Sequence, residues 1–203
     1  MTPEPAARTG GPGREGSTET SGRWPIGPGG PERTEAGDLR LVPVRLERDL
    51  PLLTGWMNSP AVDAFWKLGG PVDRTAAHLR PQLEPGSHSL PCLGVLDGRP
   101  VSYWEIYRAE RDPLARHYSC RPGDLGLHLL VGEDTDRGRG LGTALLRGVC
   151  RLVLRHAPDC RRLVAEPDAA NAPSLAVFRK AGFRAAEELR LPDKRAVLMI
   201  RER

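Results

Sequence analysis

The segment with the clearest chemical signal is a glycine-rich turn that leads directly into a helical pattern. Residues 137–142 read RGRGLG and follow an apolar strand pattern. Glycines let backbone N–H groups approach a ligand closely, and a helix N-terminus carries partial positive charge. The turn therefore suits a phosphate or pyrophosphate. It lacks the Gly-Lys-Ser/Thr of a Walker A loop and the spacing of a dinucleotide fingerprint, and an ordinary glycine-rich connection is the structural alternative.

His128 is the second candidate, because it is a titratable side chain in the middle of an apolar strand pattern over residues 124–132. In a strand, alternate side chains point to opposite faces. One face then holds Leu125, Leu127, Leu129 and Val131, and the other holds Gly126, His128 and Leu130. A histidine beside a glycine indicates a cleft on the second face. A half-buried histidine bonded to the backbone is the alternative that the pattern leaves open.

A third polar segment, residues 165–174 (AEPDAANAPS), lies between a strand pattern and a short helix that ends in Ala-Gly-Phe. Asp168 and Asn171 follow the end of the strand. A carboxylate there is available for proton transfer or for binding a nucleophile. An acid that only caps the helix or sits in the loop is the alternative.

The elements that position these residues alternate between strands and helices. The pattern predicts a strand, two helices, a hairpin around Asp97-Gly98, then β, α, β, α, β and β. Paired strands before and after the helices predict a mixed, mostly antiparallel sheet flanked by helices, an α/β domain of the mixed α+β kind. Such an order argues against a doubly wound Rossmann fold.

Composition bounds the class of protein. The first 37 of the 203 residues hold nine Gly and six Pro, so we expect a disordered tail over 1–37 and one domain over 38–203. A net charge of +4 without a basic stripe argues against nucleic acid, and no apolar run is long enough to span a membrane. Without a secretory signal we expect a cytoplasmic protein. The four cysteines form no CxxC pair, so we expect neither a metal site nor disulfides.

Taken together, these segments resemble the GNAT family of acyl-CoA-dependent N-acyltransferases. Its [RQ]-x-x-G-x-[GA] motif matches Arg137, Gly140 and Gly142, and its Asn…Ala-Gly-Phe motif matches Asn171 and residues 181–183. The resemblance covers about residues 39–203. It implies the GNAT fold, acetyl-CoA or another acyl-CoA as co-substrate, no metal, and a monomer or homodimer.

A narrower resemblance is to the siderophore-biosynthesis branch of that family. It rests on short segments at 56–58 (WMN), 65–66 (FW), 103–107 (YWEIY), 126–130 (GLHLL), 165–168 (AEPD) and 191–194 (LPDK). The resemblance implies acylation of the side-chain N-hydroxyl or amino nitrogen of lysine, ornithine or a diamine. The product of such a reaction on the N-hydroxy substrate is a hydroxamate.

The family resemblance also implies roles for single residues. His128 is expected to be a general base or a substrate orienter, and Asp168 its partner or the group that binds the nucleophilic nitrogen. Acyl-CoA is expected to contact the strand at Leu129, Leu130 and Val131, the turn at Arg137, Gly138, Arg139, Gly140, Leu141, Gly142 and Thr143, and the last helix at Asn171 and Ser174. Many GNAT enzymes carry a tyrosine near Phe178 that protonates the thiolate. In this sequence we expect the thiolate to be protonated by Ser174 or by water, or to leave without an acid.

The acceptor is expected to meet an aromatic set with one acid: Trp66, Tyr103, Trp104 and Glu105. Tyr103 and Glu105 share one strand face and Trp104 lies on the other, so only one set points at the cleft. Ordinary core packing is the alternative for each aromatic residue. Two other functions stay open: an aminoglycoside or polyamine acetyltransferase, and a catalytically silent CoA-binding regulatory domain.

Overall fold

The computed structural model describes residues 30–203. The strands are β1 (Glu32–Thr34), β2 (Gly37–Pro43), β3 (Ser89–Leu96), β4 (Arg99–Arg108), β5 (Leu125–Val131), β6 (Arg162–Ala165), β7 (Arg184–Arg190) and β8 (Arg195–Glu202). The α-helices are α1 (Leu46–Met57), α2 (Pro60–Trp66), α3 (Val72–Leu83), α4 (Leu141–His156) and α5 (Ala172–Lys180). Among residues 30–203, every helix is too short or too polar to span a bilayer.

All eight strands form one sheet in the order β1-β2-β3-β4-β5-β6-β8-β7. The neighbours pair antiparallel except β5 and β6, which are parallel. The prediction of a mixed, mostly antiparallel sheet flanked by helices is therefore confirmed. The predicted hairpin is also present, because Asp97 and Gly98 take positive φ values of 48° and 83° between β3 and β4.

The two faces of the sheet bury separate cores. The long amphipathic helix α4 covers one face with residues such as Leu145, Leu146 and Val149, which pack with Trp104 of β4. Helices α1 and α3 cover the other face, where Leu53 and Leu79 pack with side chains of the central strands. Strand β4 is buried on both faces from Val101 to Tyr107, although the polar residues Ser102 and Glu105 interrupt its apolar sequence.

Strands β5 and β6 diverge after a short parallel contact. Their ladder holds only two residue pairs, Leu125–Leu163 and Gly126–Val164. At the start of this ladder, Arg162 and Asp124 form a buried ion pair with a 2.9 Å bond from Nε to Oδ1. Beyond Gly126, the edge of β5 that faces β6 has no ladder partner among residues 30–203, which opens the sheet to a ligand.

The predicted end of the tail and the predicted number of helices before the hairpin need correction. Strand β1 lies inside the range expected to be a disordered tail, since it pairs with β2 and its Glu32 is buried against Arg151 and Arg155 of α4. Ion pairing with a distant helix overrides the Gly/Pro-rich local composition. Residues 1–29 of the predicted tail lie outside the described residues. Helix α2 was also missed, and it begins at Pro60, a residue well suited to a helix's first turn.

Candidate active site

A cavity of about 280 Å³ lies where β5 and β6 diverge. Strand β5 contributes His128, the chain after β6 contributes Glu166, and helices α2 and α3 contribute Trp66 and His78. The other lining residues are Phe65, Glu105, Leu127, Leu129, Ala165, Pro167, Asp168, Asn171, Ser174, Phe178, Asp193 and Lys194. The cavity therefore joins six helices and strands that are far apart in the chain.

His128 is held between two carboxylates. Its Nδ1 lies 2.9 Å from Oε2 of Glu105, and its Nε2 lies 2.5 Å from Oε1 of Glu166. The sheet register explains this arrangement. Glu105 is the direct cross-strand partner of His128 on β4, and the parallel pairing of Gly126 with Val164 brings Glu166 level with His128.

The charges of this trio stabilise one another. Burial disfavours a charged imidazole, but the charge of Glu166 and hydrogen bonds to both carboxylates raise the pKa of His128 to about 10. Burial likewise opposes ionisation of Glu166, yet the charges of His128 and Lys194 lower its pKa to about 2. The pKa of Glu105 is also lowered, against the effect of burial, by hydrogen bonds from His128 and His78. At neutral pH the trio is an imidazolium between two carboxylates.

Each carboxylate has further donors. The hydroxyl of Tyr107 donates to Oε2 of Glu166 at 2.7 Å, and Lys194 Nζ lies 3.5 Å from Oε1. Gly126 makes room for this contact, because a Cβ there would meet the Tyr107 ring at 2.0 Å. Glu105 accepts from the Tyr103 hydroxyl at 2.9 Å.

The structure does not bring Asp168 to His128. Its Oδ1 accepts from the backbone N–H of Ala170 at 2.7 Å, so the side chain stabilises its own turn. Glu166 occupies the place expected for Asp168, and Asp168 lines the cavity two residues further on. The expectation that Asp168 partners His128 was wrong, because the β5–β6 register was not visible in the sequence; the alternative, that Asp168 binds the nucleophilic nitrogen, stays a prediction.

The predicted acceptor set divides between the two faces of β4. Trp66 and Glu105 line the cavity, and Tyr103 is fully buried behind them with its ring 5.6 Å from that of Trp66. Trp104 points to the opposite face, where its Nε1 donates to Ser102 Oγ at 2.8 Å within the α4 core. The expectation that Trp104 contacts the acceptor is therefore wrong, because neighbouring side chains of a strand point to opposite faces of the sheet.

The backbone of β5 alternates in the same way. The Gly132 N–H donates to Val101 O on β4. Every second residue of β5 before Gly132, including Leu130, therefore directs its N–H and C=O groups toward β4. Leu129 and Val131 consequently turn theirs toward the gap. Leu130 is buried against Tyr103 and is not available to a ligand, contrary to expectation. Arg137 already uses the carbonyl of Val131, to which its Nε donates at 3.0 Å.

The glycine-rich turn has the backbone geometry of an anion site. Gly138 and Gly140 have φ values of 75° and 82°, and a Cβ on either would meet nothing within 4 Å. Helix α4 begins after Gly140 without a side-chain cap and without an acid in its first turn. Arg139 is exposed, whereas Arg137 is bound to the Val131 and Gly132 carbonyls and to Asp134. Arg137 thus shapes the turn.

The turn's remaining members, Leu141, Gly142 and Thr143, form the first turn of α4, and the Thr143 N–H returns to Gly140 O at 3.0 Å. On α5, Asn171 caps the helix by accepting from the Ser174 N–H at 3.0 Å. Both residues line the cavity beside Phe178.

The cysteines take no part in the cavity. Cys92, Cys150 and Cys160 are buried and Cys120 is half-buried, all as free thiols. Burial raises the pKa of Cys92 and of Cys150 to about 12, which disfavours the thiolate. No cluster of potential metal ligands exists among residues 30–203.

A family model described as an acetyltransferase (GNAT) domain matches residues 45–191, so the chain belongs to the GNAT family. Among relatives, it is 40% identical over 155 residues to N(6)-hydroxylysine O-acetyltransferase of Escherichia coli, which covers 76% of this chain and 49% of that protein. The chain thus spans about half the length of that relative. The resemblance to acyltransferases of this branch is confirmed.

Two other relatives are matched over a larger share of their own length. Lysine N-acyltransferase MbtK of Mycolicibacterium paratuberculosis is 35% identical over 74% of this chain and 67% of its own. N-hydroxyputrescine acetyltransferase of Acinetobacter baumannii is 33% identical over 76% of this chain and 73% of its own.

Solved structures support the fold. An uncharacterized protein from Bacillus halodurans superimposes with a TM-score of 0.77 at 35% identity, covering 81% of this chain and 84% of that one. The aminoglycoside acetyltransferase AAC(6')-Ib, in complex with coenzyme A and kanamycin, gives a TM-score of 0.66 at 25% identity, covering 81% and 94%.

Proposed function

We propose that this chain transfers an acetyl or other acyl group from an acyl-CoA to the side-chain N-hydroxyl or amino nitrogen of lysine, ornithine or a diamine, in hydroxamate siderophore assembly. The observation that carries the proposal is the position of His128. It stands between Glu105 and Glu166 in a cavity beside the open edge of β5. Family membership and the names of three relatives support the same reaction class.

The acyl-CoA side of the site is supported by backbone geometry. The two positive-φ glycines and the uncapped start of α4 suit the pyrophosphate. The free edge of β5 at Leu129 offers an N–H to polarise the thioester carbonyl, and Asn171 and Ser174 line the route of the pantetheine arm. Arg137 stabilises the glycine-rich turn through its hydrogen bonds to the carbonyls of Val131 and Gly132.

The acceptor side is supported by charge and size. Glu105, Glu166, Asp168 and Asp193 line the cavity against two cations, the His128 imidazolium and Lys194. A cavity with excess negative charge favours an acceptor that carries an ammonium group at its far end, a feature that the alternative aminoglycoside and polyamine acceptors share. A hydroxylamine nitrogen is largely neutral at pH 7 and needs no base before it attacks.

The reaction balances without a covalent enzyme intermediate. The acceptor nitrogen forms a bond to the thioester carbon, the carbon–sulfur bond breaks, and the nitrogen loses a proton. Both ring nitrogens of His128 are bonded to carboxylates, so we assign it as the orienter, and the proton of the attacking nitrogen passes to solvent water. The leaving thiolate takes a proton from Ser174 or from water, or departs without an acid. Because no cysteine lines the cavity, transfer is direct in a ternary complex.

The test is thiol release from acetyl-CoA and succinyl-CoA with a panel of acceptors. The panel holds N-hydroxylysine, N-hydroxyornithine, N-hydroxycadaverine, their parent amines and one aminoglycoside, run with wild type and His128→Ala. We expect release with the N-hydroxy series and a large loss in the variant. Preferential release with the aminoglycoside would move the chain to that second function. No release with any acceptor, despite CoA binding, would leave only a silent CoA-binding domain.

A further inference from the structure

Helix α3 contributes two hydrogen-bond donors to the site. His78 and Gln82 are one helical turn apart, so their side chains lie on the same helix face. Both reach the same oxygen, Oε1 of Glu105, from His78 Nε2 at 2.5 Å and from Gln82 Nε2 at 2.8 Å. The hydroxyl of Tyr103 donates to this oxygen as well. Oε1 is thus fully occupied, and Oε2 is left for His128.

Gln82 is itself fixed in orientation. Ser89, at the start of β3, donates its hydroxyl to Gln82 Oε1 at 2.6 Å. The amide oxygen is therefore used by β3, and the amide nitrogen faces Glu105. Ser89, Gln82 and Glu105 form a chain of hydrogen bonds that ends on His128.

We infer that His78 and Gln82 are positioning residues of the proposed transfer: they hold Glu105 so that its second oxygen aligns the His128 ring in the cavity. A carboxylate with one unfixed oxygen can rotate, and a rotated Glu105 would release the ring from one side. His78 is 29% exposed at its side chain and lines the cavity, so it also shields Glu105 from water. The inference rests on the proposed function for its kinetic consequence, but not for its structural one.

The experiment compares His78→Phe, which removes the donor, with His78→Gln, which can keep an N–H at the same reach. His88→Phe is the matched control, because His88 pairs with Asp112 at 3.3 Å and does not line the cavity. Gln82→Met removes the second donor and serves if His78→Phe fails to fold. Two readouts are taken: kcat and KM for the best acceptor, and the ring N–H proton resonances of His128 without substrate.

We expect kcat to fall about tenfold in His78→Phe with KM nearly unchanged, to recover in His78→Gln, and to stay at the wild-type value in His88→Phe. The Nδ1–H resonance of His128 is displaced or lost in His78→Phe, while the Nε2–H resonance toward Glu166 stays. Unchanged resonances would overturn the inference, and so would a change confined to KM. Since the resonances need no substrate, the inference is tested even if no acceptor releases thiol and the proposed function fails.

Discussion

At the scale of single residues, the site is defined by which carboxylate meets His128. Glu166 contacts the ring directly, whereas Asp168 bonds to a backbone N–H in its own turn. Two acids separated by one residue in the sequence therefore have different expected roles. The sequence alone suggested the second of them, and the register of two strands favours the first.

Glu166→Gln and Asp168→Asn separate these roles. We expect kcat to fall roughly 100-fold in Glu166→Gln, since the carboxylate that holds Nε2 of His128 is lost. Asp168→Asn should change kcat less than about threefold, because an amide keeps the turn's hydrogen bond. Steady-state kinetics with one N-hydroxy acceptor measures both. The reverse order of effects would restore Asp168 as the partner.

The charge on His128 makes a second prediction, on stability against pH. The folded-state pKa of about 10 lies above the ordinary value of 6.5. A raised pKa contributes stability that is complete below pH 6.5 and is lost as pH rises through 10. The difference in unfolding free energy between wild type and His128→Gln should therefore shrink from pH 7 to pH 10. Denaturant titrations at both pH values measure it, with His88→Gln as baseline, and a constant or growing difference would contradict the charged imidazole.

At the scale of elements, the turn before α4 is the part that should bind the anion. Gly140 and Gly98 both take left-handed backbone angles with open space around them, but Gly98 lies in the distant β3–β4 hairpin. An alanine at either position should cost about 1–2 kcal/mol of unfolding free energy. Only Gly140→Ala should also weaken CoA binding, by about tenfold in Kd. Calorimetric titration of CoA into both variants checks this, and equal affinities would place the pyrophosphate elsewhere.

A buried pair of charges, Arg162 and Asp124, lies next to the short ladder between β5 and β6. Their side chains are 5% and 1% exposed. Arg162→Met leaves a buried carboxylate without its partner, so we expect a loss of about 3–5 kcal/mol in unfolding free energy. The exposed pair Arg195–Glu188 is the control, and Arg195→Met should cost less than about 1 kcal/mol. Equal losses in chemical denaturation would show that burial of the pair is not what matters.

At the scale of the whole molecule, much of the fold followed from the sequence pattern. The hairpin at Asp97-Gly98 and the amphipathic helix after the glycine turn have strong local signals, and both are present. Strand β1 was missed because its stability comes from Glu32 reaching a helix more than a hundred residues away. Local composition cannot report such a contact.

The site was predictable only in part, because some of its residues also depend on contacts between distant elements. His128 stood out as a titratable residue in an apolar strand, and Glu105 lay on a strand face that shared the cavity. Glu166 required the offset between β5 and β6, which depends on how two strands far apart in sequence align. His78 and Gln82 required the packing of α3 over the sheet. A pattern search limited to single elements finds neither the offset between the two strands nor the packing of α3.

The most direct test of the central claim is the identity of the product. The chain is incubated with acetyl-CoA and N-hydroxycadaverine or N-hydroxylysine, and the product is examined for a coloured ferric complex and by tandem mass spectrometry. We predict one acyl group on nitrogen, a ferric hydroxamate, and one free thiol per product formed. The name of the Escherichia coli relative places the acetyl group on oxygen. Thiol release with an O-acyl product that binds no iron, or no release at all, would contradict the proposed N-acyl transfer.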